Sequence, residues 1–178
     1  HESMLRSLLQ QHTAMPIEEA GDQMPVQSGH IYVIPPNRDL TIHRGALQLA
    51  KPANPHGLRL PIDTFFRSLA TDLRESAVGI VLSGTGTDGT LGIKAIKEVG
   101  GLVMVQQPDS AQYDGMPRSA IATGIVDYVS PPENMPEQLL GFLAQIKTGG
   151  LTTTVMPAAE RSALALQRRM IIAYFGPE

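Results

Sequence analysis

One short segment combines glycines with a carboxylate, in a place where either could do chemistry. The segment SGTGTDG, residues 83–89, follows the apolar run VGIVL and precedes a helix-like stretch. Its glycines Gly84, Gly86 and Gly89 match the G-x-G-x-x-G pattern, whose backbone N–H groups hold the pyrophosphate of a dinucleotide. Alternatively, the glycines let the chain turn sharply, so that Asp88 projects from the end of a strand. A carboxylate held there can orient a catalytic histidine.

Two features weigh against the dinucleotide interpretation. Asp88 places a negative charge at the fifth position of the pattern, where it would repel a pyrophosphate. The next strand ends in Gln106-Gln107, where a ribose-binding acid is expected, and Asp109 follows only after a proline. Asp88 can also cap the following helix, a role compatible with orienting a histidine. We therefore expect no cofactor, and a dinucleotide-binding module remains the alternative.

The histidines are not spaced as in a metal site. His12, His30, His43 and His56 lie in a helix-like segment, a hairpin region or a loop, and none forms an i, i+4 pair with another. The chain has no cysteine, so thiolate ligands and disulfides are excluded. No metal is expected, and the lack of cysteine favours a cytoplasmic location.

Composition and charge narrow the class of protein further. The 178 residues carry 14 Lys and Arg against 17 Asp and Glu, which gives a formal net charge of -3. Because no block of like charges occurs, binding to nucleic acid is not expected. The apolar runs are far shorter than the roughly 20 residues of a membrane-spanning helix, so membrane insertion is not expected either. The length and the 42% hydrophobic content predict one main domain.

The hydrophobic pattern alternates between strands and helices. This order indicates an α/β fold with a doubly wound, mostly parallel sheet of the Rossmann-like, three-layer type. Earlier in the chain, alternation on both sides of Arg44-Gly45 predicts a β-hairpin insertion. The elements predicted from residue 61 onward are a helix from Pro61 through Leu73, a strand at 78–83, a helix ending at Gly100-Gly101, a strand at 102–105, a helix from Pro117 to Gly124, a strand at 125–129 and a helix at 135–147.

The pattern divides the chain into a main domain and a tail. Residues 1–147 form the predicted domain. Residues 148–178 carry no such rhythm beyond one helix-like stretch around 158–172, so we expect a linker and an appended helix there. The sequence opens with His1 inside a helix-like pattern and without a methionine, which indicates a cut end.

Three segments resemble a known family. Similarity to the catalytic domain of chemotaxis-type (CheB-type) protein-glutamate methylesterases is carried by VGIVLSGTGTDGTLGIKAIKEVGGLVMVQQPDSAQYDGMPRSAIATGIVDYV and by the earlier pieces GHIYVIPPNRDLTI and LPIDTFFRSLA. The resemblance covers about residues 1–147 and is strongest for the version fused to a methyltransferase. It implies hydrolysis of glutamate methyl esters on the cytoplasmic helices of chemoreceptors, with release of methanol and with glutamine deamidation as a side activity. It also implies control by a phosphorylatable receiver domain in many members.

The resemblance implies roles for individual residues. Asp88 matches the acid of a Ser-His-Asp triad, which accepts a hydrogen bond from the imidazole and stabilises the imidazolium. Thr85 and Gly86 match the segment that borders the oxyanion site, where a backbone N–H is retained whatever the side chain. The family's G-M-P-R stretch near the rim of the pocket is matched by Met116, Pro117 and Arg118. A buried or surface-paired Arg118 is the alternative to an Arg118 that binds substrate.

The serine and the histidine of such a triad are not recognisable in this sequence. The family places its serine in a G-x-S-x-G-G turn and its histidine in a Q-H pair at the end of a strand, and neither pattern occurs here. His1 aligns better with a point beyond the catalytic histidine. The resemblance therefore implies a methylesterase that lacks its N-terminal strands, exposes apolar faces and is inactive by itself. A non-catalytic interaction domain is the remaining alternative.

Overall fold

The computed structural model describes residues 4–52, 59–149 and 171–173. Along these residues, one helix is followed by five strands before residue 61, and helices and strands alternate from residue 61 to residue 149. The helices are α1 (Met4–Gln10), α2 (Pro61–Leu73), α3 (Thr90–Glu98), α4 (Gly115–Ile121) and α5 (Met135–Gly149). The strands are β1 (Ile17–Glu19), β2 (Met24–Pro25), β3 (Ile31–Val33), β4 (Asp39–His43), β5 (Ala46–Ala50), β6 (Val78–Val81), β7 (Leu102–Gln106), β8 (Tyr128–Ser130) and β9 (Ile171–Ala173).

The described strands form three small sheets. β6, β7 and β8 pair in parallel in that order, and so do β1, β3 and β9, whereas β5 pairs antiparallel with both β4 and β2. Arg44 and Gly45 join β4 to β5 with φ values of 50° and 74°, the left-handed conformations of a type I′ turn. The structure confirms both the α/β fold class with parallel strands and the predicted hairpin.

Helix α2 forms because its apolar residues recur at helical spacing behind a proline suited to the first turn. Ile62, Phe65, Phe66 and Leu69 are buried, and Pro61 occupies the first helical position. This buried face contacts α3 on one side and β4 on the other. Helix α2 thus joins the hairpin to the part of the chain that contains SGTGTDG.

The central strand β7 is covered on both faces, which is consistent with the three-layer prediction. Residues of β7 alternate between the two faces: Val103 and Val105 belong to the main core with α2 and α3, whereas Leu102 and Met104 pack with Met135 of α5. All five residues of β7 are buried, which explains its continuous apolar run.

Several predicted boundaries within this half are wrong by two or three residues. The strand predicted at 78–83 ends at Val81, and the helix predicted to end at Gly124 ends at Ile121. The third strand begins at Tyr128 rather than at Ile125, because Ile125 and Val126 pack against the core before the chain joins the sheet. Helix α4 begins at Gly115, two residues before Pro117, since a proline is tolerated in the first turn of a helix.

The tail is described only at residues 148–149 and 171–173. The helix predicted around residues 158–172 lies largely outside the described residues, and Ile171 and Ile172 belong to β9 instead. Helix α5 continues to Gly149, and the domain boundary at residue 147 stays a prediction. None of the described helices is both long and apolar enough to cross a membrane.

Candidate active site

The SGTGTDG loop connects the carboxyl end of β6 to the start of α3. Gly86 and Gly89 have φ values of 83° and 89°, a backbone conformation that a residue with a Cβ adopts only with strain. These two glycines allow the sharp turn between strand and helix. The loop therefore lies at the edge of the sheet where ligands bind in α/β proteins of this class.

Asp88 accepts three backbone hydrogen bonds. Its Oδ1 accepts from the N–H groups of Asp63 (2.9 Å) and Gly89 (2.8 Å), and its Oδ2 accepts from the N–H of Ile62 (3.0 Å). Two of these donors belong to the first turn of α2, whose N-cap residue Leu60 supplies no side-chain acceptor. Asp88 therefore caps α2 from a distant point in the chain.

The prediction that Asp88 caps the following helix is wrong. The N-cap position of α3 is Gly89 and not Asp88. Because Gly89 has no side chain, the N-cap residue makes no side-chain hydrogen bond to the first turn of α3. The first turn of α3 is instead approached from α2, where Oδ1 of Asp63 accepts a hydrogen bond from the N–H of Gly92 at 2.6 Å. Asp88, just before α3, thus accepts hydrogen bonds from the first turn of α2. Asp63, in α2, accepts a hydrogen bond from the first turn of α3.

The carboxylate of Asp88 keeps acceptor capacity for one more donor. An ionised carboxylate offers about four lone-pair positions, two on each oxygen. Oδ1 of Asp88 uses both of its positions, whereas Oδ2 uses one. Because Asp88 is only half-buried, a donor from outside the described residues can approach it.

Opposing influences act on the pKa of Asp88. Partial burial is the largest, and it raises the pKa because it disfavours the charged form. The three N–H donors lower the pKa, while the neighbouring carboxylate of Asp63 raises it. The net result is a pKa above the ordinary value of an aspartate.

The second wall of the site is the segment 113–116, which runs alongside the loop. The N–H of Gly84 donates to the carbonyl of Tyr113, and the N–H of Met116 donates to the carbonyl of Gly84, both at 2.8 Å. A Cβ on Gly115 would lie 3.0 Å from the nitrogen of Gly86, and one on Gly84 would collide with the sulfur of Met116. The structure therefore brings Met116 against the loop, and its role as a pocket residue stays a prediction.

Thr85 and Gly86 present backbone N–H groups at this edge. Both residues are exposed, and within the described part of the chain neither N–H donates a hydrogen bond. The carbonyl of Gly86 accepts a bond from Ser119 Oγ at 3.3 Å, which fixes the turn from the other side. Backbone N–H groups of this kind are the donors that an oxyanion site uses, and the oxyanion role of Thr85 and Gly86 stays a prediction.

Pro117 and Arg118 lie in different environments although they are adjacent. Pro117 is fully buried in α4, so it contributes packing. Arg118 is exposed, and its Nε forms an ion pair at 2.6 Å with Oδ2 of Asp114, one turn earlier. The hydrogen bond to Asp114 raises the pKa of the Arg118 guanidinium. Within the described residues, Arg118 makes no contact with the SGTGTDG loop that would assign it a role.

Three N–H donors at the start of α3, where a pyrophosphate would bind, are already occupied. The N–H groups of Gly89 and Gly92 donate to Asp88 and Asp63, and the N–H of Thr90 donates to the carbonyl of Thr87. Two carboxylates therefore stand at the start of α3, where a pyrophosphate would have to bind. This arrangement weighs against the dinucleotide alternative.

Comparison with known proteins decides the family. Residues 1–139 match the family model described as CheB methylesterase. The chain belongs to the CheB methylesterase family. The crystal structure of the CheB methylesterase catalytic domain of Thermotoga maritima is similar, with a TM-score of 0.62 and 30% sequence identity over 70% of this chain and 68% of that one.

The curated relatives are longer than this chain. A protein-glutamate methylesterase/protein-glutamine glutaminase of Hydrogenovibrio crunogenus is 32% identical over 72% of this chain, which spans 35% of that relative. An uncharacterized 104.1 kDa protein of Rhodobacter capsulatus is 37% identical over 96% of this chain, which spans 18% of its length. Most of both relatives therefore lies outside the part that this chain matches.

Two buried polar residues of the site were not found by sequence reasoning. Asp63 lies on the apolar face of α2, three residues before Phe66 and seven before Ala70. A charged residue at that helical spacing indicates a buried carboxylate with a specific role. Gln106 ends the buried strand β7; its Oε1 accepts from the N–H of Ser83, and its Nε2 donates to the carbonyl of Ser110. Gln106 thereby ties the SGTGTDG loop to the next loop along the sheet edge.

The described histidines do not contact Asp88. His30 lies 3.6 Å from a carboxylate oxygen of Glu18 and stacks on Tyr32, while His12 and His43 are exposed. His1 and His56 lie outside the described residues. Among the residues that are described, no group of three or more His, Asp or Glu side chains is placed to hold a metal ion.

Proposed function

We propose that this chain is the Asp88-bearing part of a protein-glutamate methylesterase that acts on methylated chemoreceptors. The observation that carries the proposal is the carboxylate of Asp88, which is fixed by three backbone N–H groups and keeps one acceptor position on Oδ2. A triad acid needs such a fixed carboxylate to hold the histidine in one tautomer and to stabilise the imidazolium. Membership of the CheB methylesterase family supports the same reaction.

The exposed edge of the sheet supports a serine and a histidine supplied by residues outside this sequence. Among the described strands, β6 is one of the two outer strands of the β6–β7–β8 sheet and pairs on one side only. The side chains of Ile80 within β6 and of Leu82 just after it are 36% and 39% exposed. An unpaired strand edge with apolar side chains is a template for another strand. A parallel strand added there would end beside the Asp88 loop, because the carboxyl ends of parallel strands meet at one edge.

The chemistry follows from these positions. Histidine removes the proton from the serine hydroxyl as its oxygen attacks the ester carbonyl, and Oδ2 of Asp88 accepts the N–H of the resulting imidazolium. The backbone N–H groups of Thr85 and Gly86 hold the oxyanion of the tetrahedral intermediate. The imidazolium then protonates the leaving methoxide, methanol departs, and water hydrolyses the acyl-serine to a free glutamate carboxylate. An amide substrate follows the same steps with ammonia as the leaving group, which corresponds to glutamine deamidation.

The same proposal places the chain within a longer cytoplasmic protein. The relative from Rhodobacter capsulatus matches 96% of this chain, including most of residues 148–178, within a protein of 104.1 kDa. We infer that residues 148–178 connect the methylesterase domain to a further domain, such as a methyltransferase. A receiver domain elsewhere in the longer protein is a candidate for controlling the esterase activity. The substrate would be the cytoplasmic helices of chemoreceptors. No cofactor takes part in the proposed steps.

Methanol release from methylated receptor tests the proposal. This chain is compared with the same chain extended upstream by about 60 residues, the length of two strand–helix units. We expect no release from the first and catalytic release from the second, with a loss of about 10⁴-fold in kcat for Asp88→Asn in the extended protein. Equal activity of the two proteins would contradict the proposal. An extended protein that binds receptor but releases neither methanol nor ammonia would instead support a non-catalytic interaction domain.

A further inference from the structure

Asp63 is a buried carboxylate in the first turn of α2. Its side chain is 3% exposed, and it shares the buried face of α2 with Ile62 and Phe66. Burying a carboxylate costs free energy unless it is hydrogen-bonded. The contacts of Asp63 must therefore account for its presence on an apolar face.

The backbone and the side chain of Asp63 hold two different parts of the site. Its N–H donates to Oδ1 of Asp88 at 2.9 Å, while its own Oδ1 accepts from the N–H of Gly92 at 2.6 Å. Its Oδ2 has no hydrogen-bond partner in the described part of the chain. Because Gly92 lies in the first turn of α3 and Asp88 lies just before it, the two carboxylates cross-link the starts of α2 and α3.

The two helices are in backbone contact at the same point. A Cβ added to Gly92 would lie 3.1 Å from the Cα of Asp63 and 2.5 Å from the Cβ of Phe66. Any rotation of α3 against α2 at this contact would move the Asp88 loop relative to the N–H donors of Ile62 and Asp63. The bond from Gly92 to Asp63 opposes that rotation.

We propose that Asp63 is a positioning residue for Asp88: by binding the first turn of α3 through its side chain, it keeps the Asp88 carboxylate in register with the N–H groups at the start of α2. The catalytic consequence rests on the function proposed above, whereas the positioning itself rests only on these contacts. A displacement of a catalytic group by about 1 Å costs on the order of 10²-fold in rate. A residue that fixes this register therefore matters to the reaction without touching substrate.

The first test uses this chain and needs no catalysis. Amide exchange and carboxyl ¹³C shifts are measured by NMR for the unmodified chain, Asp63→Ala, Asp63→Asn and the control Thr64→Ala, an exposed neighbour on the same turn. In Asp63→Ala, the amides of Ile62 and Gly89 should exchange about tenfold faster, the effect of losing one hydrogen bond to a charged group. Asp63→Asn keeps an acceptor for Gly92, so the protection of both amides should be retained.

The titration of Asp88 reports the charge of Asp63 separately from the hydrogen bond between Asp63 and Gly92. The carboxylate of Asp63 is the charged group that raises the pKa of Asp88, so Asp63→Asn should lower that pKa while leaving amide protection intact. Thr64→Ala should change neither quantity. Unchanged Asp88 resonances and unchanged Ile62 and Gly89 exchange in Asp63→Ala would overturn the proposal. If that variant does not fold, unchanged exchange of both amides in Asp63→Leu, which keeps the shape of the side chain but has no acceptor for Gly92, overturns it.

The second test uses the extended, active protein. Asp63→Ala should lower kcat by about 10- to 100-fold with KM nearly unchanged, and Asp63→Asn should restore most of the loss. The two proposals fail separately. If Asp88→Asn leaves kcat unchanged, the proposed function is wrong. If the Asp63→Ala variant shows unchanged amide exchange at Ile62 and Gly89 and unchanged Asp88 resonances, the positioning role of Asp63 is wrong, whatever the activity.

Discussion

Two acidic residues border the site in opposite ways. The carboxylate of Asp88 accepts hydrogen bonds from three backbone N–H groups. Two of these donors belong to α2 and lie 25 and 26 residues earlier in the chain. Asp114 forms an exposed ion pair with Arg118 within its own helix turn. Asp88 therefore links α2 to the loop before α3, whereas Asp114 makes only a local contact on the surface of α4. The loop around Asp88 is therefore the part whose geometry the rest of the domain determines.

The largest difference should appear when each carboxylate is removed. Asp88→Ala should lower the free energy of unfolding by about 2 kcal/mol, because the start of α2 loses the acceptor that caps it. Asp114→Ala should hardly move the midpoint of unfolding, because exposed ion pairs contribute little. Urea denaturation followed by circular dichroism measures both. Equal losses in the two variants would contradict the contrast.

Gly92 offers a way to disturb the anchoring without changing a charge. Gly92→Ala should lower the free energy of unfolding by about 1–3 kcal/mol, because its Cβ would meet Phe66 and the backbone of Asp63. The matched control is Gly141→Ala in α5, where a Cβ has open space; it should raise the free energy of unfolding by about 1 kcal/mol. Urea denaturation of both variants supplies the measurement. A neutral Gly92→Ala would show that the two helices are not in close contact.

Much of the fold around this loop could be predicted from the sequence, and the reasons are local. The apolar run of β6, the helical spacing in α2 and the glycines after α3 are patterns carried by neighbouring residues. The boundaries of β8 were predicted less well, because Ile125 and Val126 are apolar through packing on the core and not through strand pairing. An apolar run alone does not separate these two causes.

The site could be predicted only in part, because its decisive contacts join residues that are distant in sequence. Asp88 was identified through resemblance, but nothing in SGTGTDG indicates that its partners are the N–H groups of Ile62 and Asp63. Asp63 lies within the helix predicted from Pro61 through Leu73, and its position on the buried face of that helix is what distinguishes it. The roles of Thr85, Gly86, Met116, Pro117 and Arg118 remain predictions, and the structure adds the contacts that each one makes.

The titration of Asp88 should make a smaller contribution to the pH dependence of the free energy of unfolding. The pKa of Asp88 is raised in the folded chain, so between its ordinary value and the raised value the native state binds more protons than the unfolded state. Stability contributed by Asp88 should therefore fall as the pH rises through that window. The difference in unfolding free energy between the unmodified chain and Asp88→Asn, measured across acidic pH, should decrease with pH. An increase would contradict the direction of the shift.

The smallest effect is expected at Arg118. Arg118→Ala should leave the urea midpoint unchanged within error, because the guanidinium is exposed and pairs only with Asp114 within the described residues. In the extended protein, the same variant tests the predicted rim of the pocket: a higher KM with kcat unchanged would indicate contact with the receptor. An unfolded or strongly destabilised Arg118→Ala would contradict the surface role.

The titration of the catalytic histidine in the extended protein tests the central claim most directly. If the free acceptor position on Oδ2 of Asp88 holds that imidazole, NMR should show a histidine pKa that falls when Asp88 is changed to Asn, since the imidazolium loses its carboxylate partner. A histidine whose pKa is the same in both proteins would mean that Asp88 only caps α2 and that the methylesterase account is wrong.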